Sequence, residues 1–450
     1  MKNDELSARS RAHVWHPCTQ MKDHEWLPLV PIASAEGVWL KDYEGKRYLD
    51  AISSWWTNLF GHRHPHIVAS LKDQLDKLDH VLLAGFTHEP AVELAERLVK
   101  LVPKGLTHCI YADNGSSAVE IALKLSHHYW RNVGKPQKRK FIALENGYHG
   151  ETLGALAVGG AGIYRDAYEP LLMECLRVPS PDCYHRAPGE AWEDYSRRQF
   201  NFMLSTLERH ADEVCAVIIE PLVQCAGSMR MYHHVYLRML RDACDKHGVH
   251  LIADEIAVGF GRTGKLFASE FAKITPDLMC LSKGLTGGTL PLAVTLATDK
   301  IYDAFYDDYS KGKAFLHSHS YTGNPLACRA ALASLDLIEN TNIMAINHVK
   351  AQLMWARTAD IRSHPNVSDV RQQGMILAIE LAKNIRSKEP FPREDRRGLE
   401  VYRYGLKHGV LLRPLGDVIY FMPPYVIEPD EIELMTRIAL EGIEAATDDG

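Results

Sequence analysis

Short apolar runs alternate with helical patterns through the middle of the chain. Residues 108–112 (His-Cys-Ile-Tyr-Ala) read as a strand, and 118–130 follow as an amphipathic helix. Residues 140–144, 214–219, 249–253 and 278–281 are further apolar runs of strand length. Strands alternating with helices predict an α/β fold with a mostly parallel central sheet covered by helices. The flanks differ. Residues 37–42 and 46–49 read as a hairpin around the turn residues Glu44-Gly45. The C-terminal third carries helices and a few strands, among them 375–381 and 418–421. Both chain ends are therefore expected to build one smaller α+β domain, 1–60 with 336–450, beside a large domain over 61–335. Repeats, low-complexity tracts and Gly/Ser linkers are missing from the sequence.

Composition narrows the class. The 450 residues suffice for two domains, and 46% hydrophobic with 24% charged residues is the balance of a soluble globular protein. A net charge of −6 offers no strong field to nucleic acid or an anionic membrane. The most apolar stretch, 214–219, is stopped by Glu220 and Pro221, far short of a membrane span. The N-terminus has charge but no apolar segment of a secretory signal. Nine scattered cysteines without a C-x-x-C pair suggest reduced thiols, so a cytoplasmic protein is expected.

Four features fall at the carboxyl ends of predicted strands, the edge where open α/β sheets bind ligands. Asp113-Asn114-Gly115-Ser116-Ser117 sits between strand and helix. Gly115 permits a tight turn, Ser116 and Ser117 are candidate caps, and the free N–H groups suit a phosphate as well as an ordinary cap. Asp254 directly follows an apolar strand, where a carboxylate can keep a pyridine nitrogen protonated or simply be a solvated loop acid. Lys283 follows another, where desolvation can make its amine nucleophilic; a surface lysine is the bland reading. Tyr148, on the glycine-flanked loop Asn146-Gly147-Tyr148-His149-Gly150, can lay its ring against a flat heterocycle.

Two motifs are decoys. Gly259-Phe260-Gly261-Arg262-Thr263-Gly264 fits a dinucleotide fingerprint but starts several residues after its strand, with no clear helix at its last glycine. The same segment nearly fits a phosphate-binding loop, but Leu266 stands where a magnesium-holding hydroxyl is needed. The 23 histidines include dense spots at His62, His64, His66 and at His317, His319, yet no cysteine or carboxylate completes a ligand set at suitable spacing, so no metal is expected.

Taken together, Leu251-Ile252-Ala253-Asp254-Glu255-Ile256, Gly259 to Gly264, and Ser282-Lys283-Gly284-Leu285-Thr286-Gly287-Gly288 resemble the class III aminotransferases of fold type I, in order and spacing over about 15–424. Trp15-His16-Pro17, Ser53-Ser54-Trp55-Trp56, Gly227-Ser228-Met229-Arg230-Met231-Tyr232-His233, Tyr321-Thr322-Gly323-Asn324-Pro325 and Arg413-Pro414-Leu415-Gly416 are most similar to the branch of that class acting in biotin biosynthesis. The resemblance implies pyridoxal 5'-phosphate as cofactor, bound as a Schiff base on Lys283, and a homodimer with shared sites. It implies that Asp254 pairs with the pyridinium nitrogen and that Gly115 and Ser116 hold the phosphate. His319 and Ser320 would reach that phosphate from the neighbouring subunit. Tyr148 would line ring and substrate, Trp55 and Ser318 would contact substrate, and Arg413, with Tyr420 near it, would bind the substrate carboxylate. The implied reaction converts 8-amino-7-oxononanoate to 7,8-diaminononanoate with S-adenosylmethionine as amino donor. The chain departs from the pattern at three places: Cys18 stands where a tyrosine stacks on the donor's adenine, His319-Ser320 replace Pro-Thr, and Cys225 replaces a glycine. Lysine as donor, another ω-amino acid or diamine aminotransferase, an aminomutase or decarboxylase, and a coenzyme-binding regulator are the competing readings.

Overall fold

The computed structural model describes residues 2–448, which form two compact units. The larger spans His66–His348 with Gln373–Met375; the smaller takes the chain up to Pro65, Val349–Gln372 and the chain from Ile376 onward.

Seven strands build the sheet of the larger unit: β1 (Leu106–Ala112), β2 (Lys140–Leu144), β3 (Leu176–Val178), β4 (Val214–Ile219), β5 (His250–Asp254), β6 (Leu278–Leu281) and β7 (Ala293–Thr298). Their order is β1-β7-β6-β5-β4-β2-β3. The run β6-β5-β4-β2-β3 is parallel throughout. β7, to which the sequence pattern assigned no strand, runs antiparallel to both β6 and β1. Every residue of β4, β5 and β6 is buried, as strands covered on both faces must be.

Side chains alternate between those faces. On one, helix α1 (Gly115–Asn132) packs Val119, Ile121 and Leu125 with Phe141, Ala216, Ile252 and Cys280. On the other, α2 (Trp192–His210) and α3 (Val235–His247) pack Phe200, Met203, Leu207 and Leu240 with Ile142, Val217 and Leu251. The parallel strands therefore deliver the loops after β2, β4, β5 and β6 to one sheet edge.

In the smaller unit the expected hairpin forms between Trp39–Asp42 and Arg47–Asp50, with Trp39 opposite Leu49. Ile32–Glu36 adds to one side, and Val410–Leu411 pairs in parallel with the other. A second sheet has the order Val367–Gln373, Ile376–Leu381, Val418–Phe421. Among the described residues no helix is long and apolar enough to cross a membrane.

Candidate active site

The start of α1 and the loop after β2 meet. Asn114, in extended conformation at φ −156°, accepts from Ser117 N at 3.0 Å and caps the helix, a bond worth about 1 kcal/mol. The sequence pointed to Ser116 and Ser117 as caps. Asn114 takes that role because the helix begins at Gly115, three residues earlier than its apolar pattern indicates, and Ser117 turns inward to be buried. Ser116 Oγ instead accepts from Thr152 N at 3.0 Å and lies 2.9 Å from Thr152 Oγ1. Gly115 is tightly fitted: a Cβ there would lie 3.0 Å from the Ile256 side chain, which would have to yield. Gly150, at φ +119°, has a conformation that side chains rarely adopt, and its Cβ would collide with Ser116 Oγ. A helix N-terminus bearing a hydroxyl, with backbone packed this closely, fits a phosphate.

Behind this cradle lies a cluster of charge. His149 Nδ1 donates to Asp254 Oδ2 at 2.7 Å, with both side chains almost fully buried. The other carboxylate oxygen of Asp254 accepts from Ile256 N at 3.1 Å. Burial works to lower the His149 pKa, but the hydrogen bond and charge of Asp254, helped by Glu220, outweigh it and raise the net value. Glu220 is buried, and that burial pushes its carboxyl up to about 7, against the His149 charge and its two backbone donors. Those donors are Tyr148 N and Cys225 N, each at 3.0 Å.

Lys283 follows β6 at φ +48° and is half-buried. Desolvation of its amine depresses the pKa below the usual lysine value, while Asp254, Cys225 and Glu220 pull the other way. A left-handed lysine at the mouth of a strand costs about 1–2 kcal/mol of backbone strain, the kind of outlier that collects at functional sites. Tyr148 is half-buried, its Oη donating to Glu151 Oε1 at 3.0 Å and its ring 5.3 Å from that of Tyr164. Asp254, Lys283 and Tyr148 thus share one sheet edge with Gly115 and Ser116.

The 317–320 segment also lies near the cradle. His319 Nδ1 sits 3.0 Å from Asp113 Oδ2, and His319 N donates to Thr322 Oγ1 at 2.9 Å. Ser318 and Ser320 are exposed. The helix Pro325–Asn340 follows, capped by Asn324. The glycine-rich decoy forms no strand–helix junction: Gly261 N donates to Leu266 O and Gly264 N to Gly261 O, and Arg262 is buried.

The remaining predicted residues lie in the smaller unit. The Arg413 guanidinium stacks on the Trp55 ring at 4.9 Å, and its Nη2 donates to the carbonyl of Cys18 at 3.3 Å. Cys18 is exposed and left-handed, at φ +49°. Tyr420 is buried, its Oη accepting from Trp56 Nε1 at 3.0 Å. Ser53, Ser54, Trp55 and Trp56 all have positive φ, at 53°, 46°, 77° and 71°, which at 1–2 kcal/mol per residue amounts to roughly 4–8 kcal/mol of local strain.

His149 and Glu220 were not singled out from the sequence, although both obey the rule that found Asp254. Glu220 directly follows β4, and His149 sits in the loop after β2. The partnership of His149 with Asp254 spans 105 residues of chain and has no local signature.

Known proteins resemble the chain along almost its entire length. The family profile "Aminotransferase class-III" matches residues 20–443. Adenosylmethionine-8-amino-7-oxononanoate aminotransferase of Geobacter sulfurreducens is 46% identical over 429 residues, covering 94% of both chains. The protein of that name from Helicobacter pylori is 44% identical, covering 96% of this chain and 95% of its own. The crystal structure of the Methanocaldococcus jannaschii enzyme of that name superposes with a TM-score of 0.94 at 38% identity, over 99% of this chain and 100% of its own. An (S)-enantioselective omega-transaminase from Thermomicrobium roseum also reaches 0.94, at 29% identity over 100% of this chain and 99% of its own. Similarity of this extent, on the fold and lysine-bearing sheet edge described above, makes the chain a member of the class III aminotransferases.

Proposed function

We propose that this aminotransferase acts on 8-amino-7-oxononanoate, converting it to 7,8-diaminononanoate in biotin biosynthesis, with S-adenosylmethionine as amino donor. The observation that carries this reading is the identity of 46% and 44%, over nearly the whole length, to proteins named for that pair of substrates. The identity to the omega-transaminase, at 29%, is lower and favours it over a general ω-amino acid enzyme.

The residues of the larger unit fit pyridoxal 5'-phosphate. Gly115, Ser116 and the α1 N-terminus suit its phosphate, Asp254 its ring nitrogen, Tyr148 its ring face, and the depressed Lys283 amine its aldehyde carbon. When bound, the coenzyme supplies an electron sink for the carbanion formed at the substrate carbon. Asp254 would hold a proton on the ring nitrogen, and His149 orients Asp254 for it through the 2.7 Å hydrogen bond. The Lys283 amine, deprotonated nearer neutrality than an exposed lysine, takes the proton from the donor's carbon and returns protons as the amino group moves on. In the smaller unit, Arg413 binds the acceptor carboxylate through its planar fork and Trp55 packs against the aliphatic chain. Tyr420 acts from behind, through Trp56. Cys18 offers no aromatic face to the donor's adenine, so Trp15, which is exposed, is the candidate replacement. The protein acts as a homodimer in which Ser318, His319 and Ser320 serve the partner's site.

Product analysis with 8-amino-7-oxononanoate and a panel of donors tests the reading. Diaminononanoate formed from S-adenosylmethionine is the expected result. Turnover with lysine alone replaces the donor. Turnover of ω-amino acids or diamines, with none of 8-amino-7-oxononanoate, overturns the substrate assignment and leaves the family intact.

A further inference from the structure

The turn Ser53–Trp56 is one turn of left-handed helix built without glycine. Trp56 N donates to Ile52 O at 2.8 Å and Thr57 N to Ser53 O at 3.0 Å, closing helical rings across four residues of positive φ. L-residues adopt this conformation singly, and glycine or asparagine normally takes such positions. The sequence Ser-Ser-Trp-Trp offers neither, so its surroundings must impose the shape.

They do so from two sides. Asp50 is fully buried. Its Oδ1 accepts from Ser54 N at 2.9 Å, and its Oδ2 accepts from Ser54 Oγ at 2.7 Å and from His62 Nε2 at 3.0 Å. A buried carboxylate that binds both the N–H and the O–H of one residue is a template for that residue's conformation. From the other side, Ser53 Oγ donates to Met422 O at 2.7 Å and Trp56 Nε1 to Tyr420 Oη at 3.0 Å. Trp55 stands between these anchors, 36% exposed, with its ring under the Arg413 guanidinium. Inverting φ redirects Cβ, so in a right-handed or extended turn the Trp55 ring would leave the backbone elsewhere.

We infer that this left-handed turn is a positioning device for the acceptor, with Asp50, Ser54 and His62 as the residues that set it. The inference rests on the acceptor role of Trp55 and Arg413 proposed above. An aromatic face joined to a guanidinium suits an aliphatic chain that ends in a carboxylate, and such a pair discriminates only if its geometry is fixed. The turn fixes it. None of the three positioning residues needs to touch substrate.

Two substitutions at one site test this in the holoenzyme. Ser54→Ala removes the hydroxyl bond to Asp50 and keeps the left-handed penalty. Ser54→Gly removes the same bond and the penalty together. Both are assayed with 8-amino-7-oxononanoate, and amide hydrogen exchange of residues 52–58 is followed in parallel. Ser54→Ala should lower the population of the competent turn and raise the acceptor KM about tenfold, with kcat and the donor half-reaction close to wild type. It should also expose the Trp56 and Thr57 amides. Ser54→Gly should recover both KM and protection, and Asp50→Asn should move both in the same direction as Ser54→Ala. A wild-type KM and wild-type protection in Ser54→Ala, or no recovery in Ser54→Gly, overturns the positioning role. Arg413→Ala separates this from the reading beneath it. An unchanged acceptor KM in Arg413→Ala overturns the acceptor site itself. A raised KM there beside an unmoved Ser54→Ala overturns the turn's role alone.

Discussion

Replacing His149 with alanine removes the only side chain that holds Asp254 from behind among the described contacts. The bond is 2.7 Å long, between groups almost fully out of water, and the carboxylate can only accept. A hydrogen bond to a charged group contributes about 1.5–3 kcal/mol net, which converts to roughly 10- to 100-fold in an equilibrium constant. Asp254 would keep its bond from Ile256 N but lose its orienting partner, so the coenzyme's ring nitrogen meets a less ordered carboxylate. His149→Ala should therefore weaken coenzyme binding by roughly 10- to 100-fold, read as the dissociation constant when apoprotein is titrated with pyridoxal phosphate. The pair should also leave a mark on stability. A histidine whose pKa is raised on folding stabilises fully below its unfolded value, near 6.5, and the contribution fades as pH climbs through the raised folded value. The wild-type advantage over His149→Ala in thermal unfolding of apoprotein should be largest at mildly acid pH and shrink under alkaline conditions. Coenzyme affinity within twofold of wild type, with a stability difference flat across that pH range, would show that His149 does not support Asp254.

On the role proposed for Asp254, Asp254→Asn takes away the charge that would hold a proton on the ring nitrogen, and turnover should fall by about 10²-fold or more; near-normal rates would remove Asp254 from the chemistry. Gly150→Ala forces a Cβ into Ser116 Oγ at a φ reserved for glycine. It should cost about 1–3 kcal/mol in apoprotein stability and weaken coenzyme binding, both measured by thermal unfolding with and without coenzyme. On the proposed shared-site dimer, hybrids of Lys283→Ala subunits with inactive subunits altered at Ser320 should regain activity, because one intact site would form per hybrid. Confirmed hybrids that stay inactive would argue that Ser320 serves its own subunit.

How much of this was legible depends on whether the signal was local. β4 and β6 are read to the residue because both faces of each strand are covered and the apolar run has no gap. The edge rule then places Asp254 and Lys283 without reference to any contact. β3, with three residues, is too short to show a period. Ile32–Glu36 is mostly exposed and shows no alternation. The cap at Asn114 was misplaced because two serines beside it have equal chemistry, and only the start of the helix decides between them. His149 found Asp254 through the fold rather than through spacing. The left-handed turn is the least legible feature: Ser-Ser-Trp-Trp has no residue that favours it, and the cause lies in a buried carboxylate and in backbone from the far end of the chain.

The claim on which everything else depends is that Lys283 carries the coenzyme. Borohydride reduction of protein loaded with pyridoxal phosphate, followed by proteolysis and mass mapping, tests it directly. The expected result is a reduced pyridoxyl adduct on the peptide that contains Lys283, absent from Lys283→Ala. An adduct fixed to a different lysine, or undiminished fixation in Lys283→Ala, would contradict it.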